Sequence, residues 1–225
     1  MGSGKSTAAQ MFAAKGAYVL SADEIGRALM QPGQAVYAAI VERFGAGVVR
    51  ADGLLDRAAL ARIAFGAAAE GGGRVEELNA IVHPETIARQ AELIAEIAAK
   101  DKDAVVMVES ALIFETKHGE TKHRGEGSGR SAGIARRFDK VIFVKAPEGL
   151  RIARFVARAA RNEALTRERR AEIEADARRR MARQEAERNE ARSDHVLTND
   201  GSIDELQAQV DVLWPGLKAA AKERA

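Results

Sequence analysis

Six consecutive residues at the start of the chain, Gly2-Ser3-Gly4-Lys5-Ser6-Thr7, are of the types that hold a triphosphate. A triphosphate needs several backbone N–H groups converging on its oxygens. Gly2 and Gly4 can adopt the angles that turn such groups inward, and they carry no side chain to keep phosphates away. The helix expected to follow points its positive end at the same place. Lys5 would set an ammonium against the outer phosphates, and Ser6 offers a hydroxyl to Mg²⁺. The run is the second half of the pattern Gly-x-x-x-x-Gly-Lys-Ser/Thr, whose first glycine would stand five residues before Gly4.

Several further positions could do chemistry. Asp23 follows the short apolar run Ala17–Leu20, read as a buried parallel strand. In open α/β sheets ligands sit beyond the carboxyl ends of the strands, so Asp23 is expected at the crevice that holds the phosphate loop. An Asp at a strand–helix turn is equally suited to capping the helix, and both roles stay open. Glu109 ends a second expected strand, Ala104–Val108, with the same two options: a Mg²⁺-bound water or a cap. Arg154 and Arg158 lie four apart on one helix face, the spacing of a phosphate clamp. His83 stands before Pro84 at an expected helix start, where its local sequence favours a capping or packed histidine. His118 and His123 fall in the Gly-rich, charged run 116–136, read as a mobile loop, and no ordered partner there supports a metal site.

The elements that would position these groups alternate. Strands are expected at Ala17–Leu20, Ala104–Val108, Val141–Val144 and His195–Thr198, with helices between them. The first helix spans Ser6–Lys15. Helical spacing fills Gln34–Phe44, Asp56–Phe65, Glu70–Val82 and Pro84–Ala99, a helical insertion between two strands. Leu150–Arg192 reads as two solvated helices with 13 Arg against eight acidic residues. A closing helix, Ile203–Leu213, stops at Trp214-Pro215. The fold class is therefore α/β, a parallel sheet flanked by helices, in the layout of a P-loop small-molecule kinase.

Composition narrows the class. The chain has 225 residues, 46% hydrophobic, enough for a packed core. A net charge of +2 gives no global field toward nucleic acid or membrane. Cysteine is absent, so disulfides and thiolate metal sites are excluded. No apolar run approaches the ~20 residues of a membrane span. A soluble, cytoplasmic protein is expected.

The joint pattern is more specific than the loop alone. Besides Gly2–Thr7 it includes Ala22-Asp23-Glu24-Ile25-Gly26-Arg27, Gln31-Pro32-Gly33 and Phe44-Gly45. It continues through Asp52-Gly53-x-Leu55-x-Arg57-x-x-Leu60, His83-Pro84, Ala111-Leu112-Ile113-Phe114-Glu115, Arg154-x-x-x-Arg158 and Asn199-Asp200-Gly201-Ser202. In this order the segments resemble the dephospho-CoA kinase family over nearly the whole chain. The resemblance implies transfer of the ATP γ-phosphoryl group to the ribose 3′-hydroxyl of dephospho-CoA. Gly2, Ser3, Gly4, Lys5, Ser6 and Thr7 would bind ATP, with Ser6 on Mg²⁺, and Asp23 would accept the hydroxyl proton. Arg27 and His83 would lie near the acceptor, and Arg154 and Arg158 near ATP. It further implies a nucleotide-binding core of 1–23, 104–149 and 193–225, a CoA-substrate domain of 24–103 and an Arg-rich lid of 150–192.

The chain departs from the family pattern in four places. Ser21 replaces the first Asp of the acidic motif, and Ser110-Ala111 stands where Pro is usual. The 116–136 loop and the lid are both longer than usual. Two rivals are a nucleoside monophosphate kinase of the same fold and a nucleic-acid-binding protein using the Arg-rich hairpin. The strand that normally feeds the phosphate loop is expected to be missing at the N-terminus, as in a truncated form; oligomeric state is not legible.

Overall fold

The computed structural model describes residues 2–66, 73–110, 137–160, 165–182 and 186–223. The expected loop at 116–136, with His118 and His123, and the segment Ala111–Glu115 lie outside the described residues. Among those described, the four strands are interspersed with helices and form two pairs, β1–β2 and β3–β4. These are β1 (Tyr18–Ser21) with β2 (Val106–Glu109), and β3 (Ile142–Lys145) with β4 (His195–Thr198). The β3–β4 pair is parallel, with Ile142 opposite His195 and Lys145 opposite Thr198. The chain divides into two compact units, Leu20–Ser110 and the combined segments Met1–Val19 and Ala111–Ala225.

The Leu20–Ser110 unit is mainly helical: α2 (Ala22–Leu29), α3 (Ala35–Phe44), a 3₁₀ turn (Ala46–Val48), α4 (Arg57–Phe65) and α5 (Val75–Lys100). Val36, Ile40, Val48, Leu55 and Leu60 form its buried core. The segment between α3 and α4 is fastened by polar bonds. Gly53 turns the chain at a φ of 80°, and its carbonyl accepts a 2.6 Å bond from the Tyr37 hydroxyl. Asp56 caps α4 by accepting from the N–H groups of Ala58 and Ala59, which helps hold its carboxyl below the usual range.

The helix boundary expected at His83-Pro84 does not exist. Helix α5 runs through Pro84 unbroken. A proline removes one i→i−4 bond and crowds the preceding turn, which ordinarily ends a helix. Here α2 packs on this stretch, with Gly26 facing Val82 and Thr86, and Thr86 Oγ1 donates to the Val82 carbonyl at 2.8 Å. Tertiary burial therefore outweighs the local penalty.

The second unit contains α1 (Lys5–Ala14), α6 (Glu148–Ala160), α7 (Arg167–Ala182), α8 (Ala186–Ala191) and α9 (Ile203–Lys222) besides β3 and β4. Phe12 of α1 is buried, 6.4 Å from the Trp214 ring of α9, and Lys15 pairs with Asp211 at 2.7 Å. That packing carries α9 through Pro215, where the sequence predicts a stop; the residues beyond, Leu217 to Lys222, are good helix formers. The Arg-rich region holds three described helices rather than two. Ile152 and Val156 of α6 meet Ile173, Ala177 and Met181 of α7 in a small separate core. Most of the charges on α7 pair along the helix itself, as in Arg169–Glu172 and Arg170–Glu174.

One carboxylate in the helical unit carries an unusual load. Glu77 accepts two bonds from Arg74, at 2.8 and 2.9 Å, and is also paired with Arg43. The Arg74 bond, reinforced by Arg43, holds its carboxyl down at about 2. Because the folded value is depressed, the stabilisation is present above the ordinary 4.5 and fades as pH falls toward 2. Glu77→Gln should therefore have a lower denaturation midpoint than the unchanged protein at pH 7, and the difference should close across that acid window. Urea titrations at stepped pH check this.

Candidate active site

The candidate phosphate loop, residues 2–7, has the backbone shape that such a loop requires. Gly2 and Gly4 sit at φ 69° and 94°, a region other residues rarely enter. Gly4 is the N-cap of α1, and no side chain caps this end. Lys5 is the first residue of the helix, and Ser6 and Thr7 complete its first turn, which contains no acidic residue to oppose an anion. Ser3 is buried.

Neighbours crowd both glycines. A Cβ on Gly2 would lie 2.5 Å from the Arg151 carbonyl oxygen, and a Cβ on Gly4 would lie 2.0 Å from Asn199 Nδ2. Arg151 and Asn199 thus form the back wall of the loop. Asn199 Nδ2 donates to the Ser3 carbonyl at 2.8 Å. Its Oδ1 accepts from Arg154 Nη2 at 3.1 Å, and its backbone carbonyl accepts from Arg154 Nη1 at 3.3 Å. Arg154 is therefore tied to the loop through one intermediary, while Arg158, one turn along α6, is exposed. Burial lowers the Arg151 guanidinium from its ordinary value, and Glu148 opposes that shift.

Asp23, Arg27 and His83 belong to the other unit. The cap position at the start of α2 is taken by Ser21, whose hydroxyl accepts from the Glu24 N–H at 3.3 Å. Asp23 is exposed in the first helical turn, so capping does not account for it. Arg27 is exposed one turn later on α2. His83 is partly buried inside α5 and so is not a helix cap. Asp23 lies one turn before Gly26, the residue that meets Val82 and Thr86, and His83 is next to Val82. The structure thus brings all three to the α2–α5 pair. Glu109 is the last residue of β2, not a residue beyond it.

Sequence reading missed the roles of Asn199 and Arg151. Asn199 was visible as part of the segment Asn199-Asp200-Gly201-Ser202, but nothing local reveals that its amide reaches back to Ser3.

A family model described as "CoaE: Dephospho-CoA kinase" matches residues 1–124. The chain is 37% identical over 220 residues to a dephospho-CoA kinase of Corynebacterium jeikeium, covering 96% of this chain and 95% of that one. This chain belongs to the dephospho-CoA kinase family. It is also 36% identical over 215 residues to the dephospho-CoA kinase of Methylococcus capsulatus, covering 95% of this chain and 90% of that one. The crystal structure of TT1252 from Thermus thermophilus matches with a TM-score of 0.64 and 27% identity, covering 96% of this chain and 93% of that one.

The crowding at Gly4 gives a direct test of the loop. Gly4→Ala must either displace Asn199 or leave the left-handed backbone region. We expect affinity for ATP to fall at least about 10-fold with the far-UV circular dichroism spectrum retained, because only the loop is reshaped.

Proposed function

We propose that this chain transfers the γ-phosphoryl group of ATP to the ribose 3′-hydroxyl of dephospho-CoA, giving coenzyme A and ADP. The observation that carries the reading is the family match over nearly the full chain, joined to a phosphate loop with the required backbone form. The new bond joins the 3′-oxygen to the γ-phosphorus, and the bond to the bridging β–γ oxygen breaks as ADP leaves. Asp23 takes the proton of the attacking hydroxyl. Its exposure on the first turn of α2, with the cap supplied by Ser21, leaves the carboxylate available for that role.

The Gly2–Thr7 backbone and the α1 N-terminus bind the phosphates, and Lys5 supplies a fixed positive charge to the transferring group. The donor at Ser6 is a hard oxygen on the first turn of α1, which suits Mg²⁺ held jointly with phosphate oxygens rather than in a protein cage. When bound, Mg²⁺ neutralises charge on the β- and γ-phosphates. Arg27 and His83 bind the acceptor from α2 and α5, in keeping with a CoA-substrate domain of 24–103. The hairpin of 150–192 acts as a lid that brings Arg154 and Arg158 to ATP and excludes water. The paired charges along α7 support a solvated lid over a nucleic-acid surface. No helix among the described residues is long and apolar enough to cross a membrane, and we place the reaction in the cytoplasm.

The test is an acceptor panel with ATP and Mg²⁺: dephospho-CoA should gain one phosphoryl group at the ribose 3′ position, and nucleoside monophosphates should not. Turnover of a nucleoside monophosphate with dephospho-CoA inert would replace this reading with the rival kinase.

Two substitutions separate the roles. Asp23→Asn should lose about 10²–10⁴-fold in kcat while ATP binding survives, since an amide cannot take the proton. Lys5→Ala should lose several kcal/mol of transition-state stabilisation, measured as kcat/KM, because the transferring group loses its counter-charge.

A further inference from the structure

Asn199 does more than close a turn. It is only 6% exposed, yet every polar end of its side chain is used. The amide nitrogen donates to the Ser3 carbonyl and the amide oxygen accepts from Arg154. Its own backbone is fixed on both sides. The Asn199 N–H donates to the Lys145 carbonyl at 2.8 Å, which extends the β3–β4 ladder by one step. The preceding residue, Thr198, is gripped by Gln209 of α9, which accepts from the Thr198 N–H and donates to its carbonyl, each at 2.8 Å. Beyond it, Ser202 and Glu205 form a reciprocal capping box at the start of α9.

We propose that Asn199 is a positioning residue for the nucleotide, setting the shape of the phosphate loop and the placement of Arg154 together. This rests on the kinase reading above. Two physical arguments support it. The Ser3–Gly4 peptide is planar and trans, so its C=O and N–H point in opposite directions. Drawing the Ser3 carbonyl toward Asn199 therefore turns the Gly4 N–H to the opposite side of the loop, where a phosphate can accept from it. The second argument concerns charge. A carboxylate would hold Arg154 more strongly, but it would also neutralise the guanidinium. The neutral amide orients Arg154 and leaves its full charge for the nucleotide. Asparagine does this with two separate atoms of one rigid amide, the nitrogen donating to the carbonyl and the oxygen accepting from the guanidinium. Gly4 is what lets the amide pass, since a Cβ there would occupy its place.

The informative variant is Asn199→Asp. It keeps the size and the Arg154 contact, but it cannot donate to Ser3 and it quenches the Arg154 charge. We expect KM for ATP, and the ATP dissociation constant measured without acceptor, to rise about 10–100-fold. KM for dephospho-CoA should stay within about threefold. Arg154→Ala, Asn199→Ala and the double variant complete a cycle, and their effects on ATP affinity should be non-additive by at least about threefold. A merely structural asparagine would lower the melting temperature and weaken both substrates alike. Unchanged ATP affinity in Asn199→Asp, or equal losses for both substrates, or strict additivity, would overturn the proposal. If Asn199→Ala does not fold, Asn199→Asp decides alone. The unchanged protein separates the two readings: if it neither binds ATP nor converts dephospho-CoA, the kinase reading falls first.

Discussion

A triphosphate can be held by backbone amides only if nothing stands between them and its oxygens. That constraint governs the nucleotide end of this protein. Gly2 and Gly4 satisfy it in two ways at once. Their positive φ angles give the loop its curvature, and their missing side chains make room for Arg151 and Asn199 behind it. Arg151 lies against Gly2 and Asn199 against Gly4, closer than any Cβ would allow. The loop is thus fixed from behind by residues that arrive late in the chain, from α6 and from the end of β4. Through the Phe12–Trp214 contact and the Lys15–Asp211 pair, α9 also braces the helix that the loop opens.

The Arg-rich helices α6 and α7 meet over little apolar surface. Their core is a handful of residues, Ile152, Val156, Ile173, Ala177 and Met181, with Phe155 and Leu165 at the margin. On α7, Arg169, Arg170, Arg178 and Arg179 are paired with neighbours one turn away, as in Arg170–Glu174 and Arg179–Asp176. Exposed pairs of this kind contribute little stability and mainly keep the surface soluble. Arg154 differs, since it faces back to Asn199 rather than along its own helix.

Much of the local structure around the candidate site was legible because its signals are local. A Gly-Lys-Ser run needs no tertiary context to be read as a phosphate loop, and the structure gives both glycines the predicted angles. The α/β alternation and the strand positions followed from short apolar runs bounded by turns, with β1 and β2 each ending one residue later than read. Asp56, read as the first residue of a helix, is instead its cap. The prolines misled because their penalty is local while the gain is not. Burial of α5 against α2, and of α9 against α1, keeps helices intact through Pro84 and Pro215. Asp23 was ambiguous in sequence because its neighbour Ser21 competes for the same cap, and only the geometry assigns that bond to Ser21. Asn199 was illegible as a loop anchor because its partner lies 196 positions away.

The most direct measurement of the central claim is amide hydrogen exchange on the intact protein with and without ATP and Mg²⁺. The claim is that the nucleotide binds on the glycine loop and its Asn199 backing, in the unit formed by the chain's two ends. Exchange should slow at residues 2–8 and around 198–200, and along α6 near Arg154, with α2 and α5 little changed until dephospho-CoA is added. Protection confined to residues 20–110 on adding ATP alone would contradict the account, since it would put the nucleotide on the unit assigned here to the acceptor.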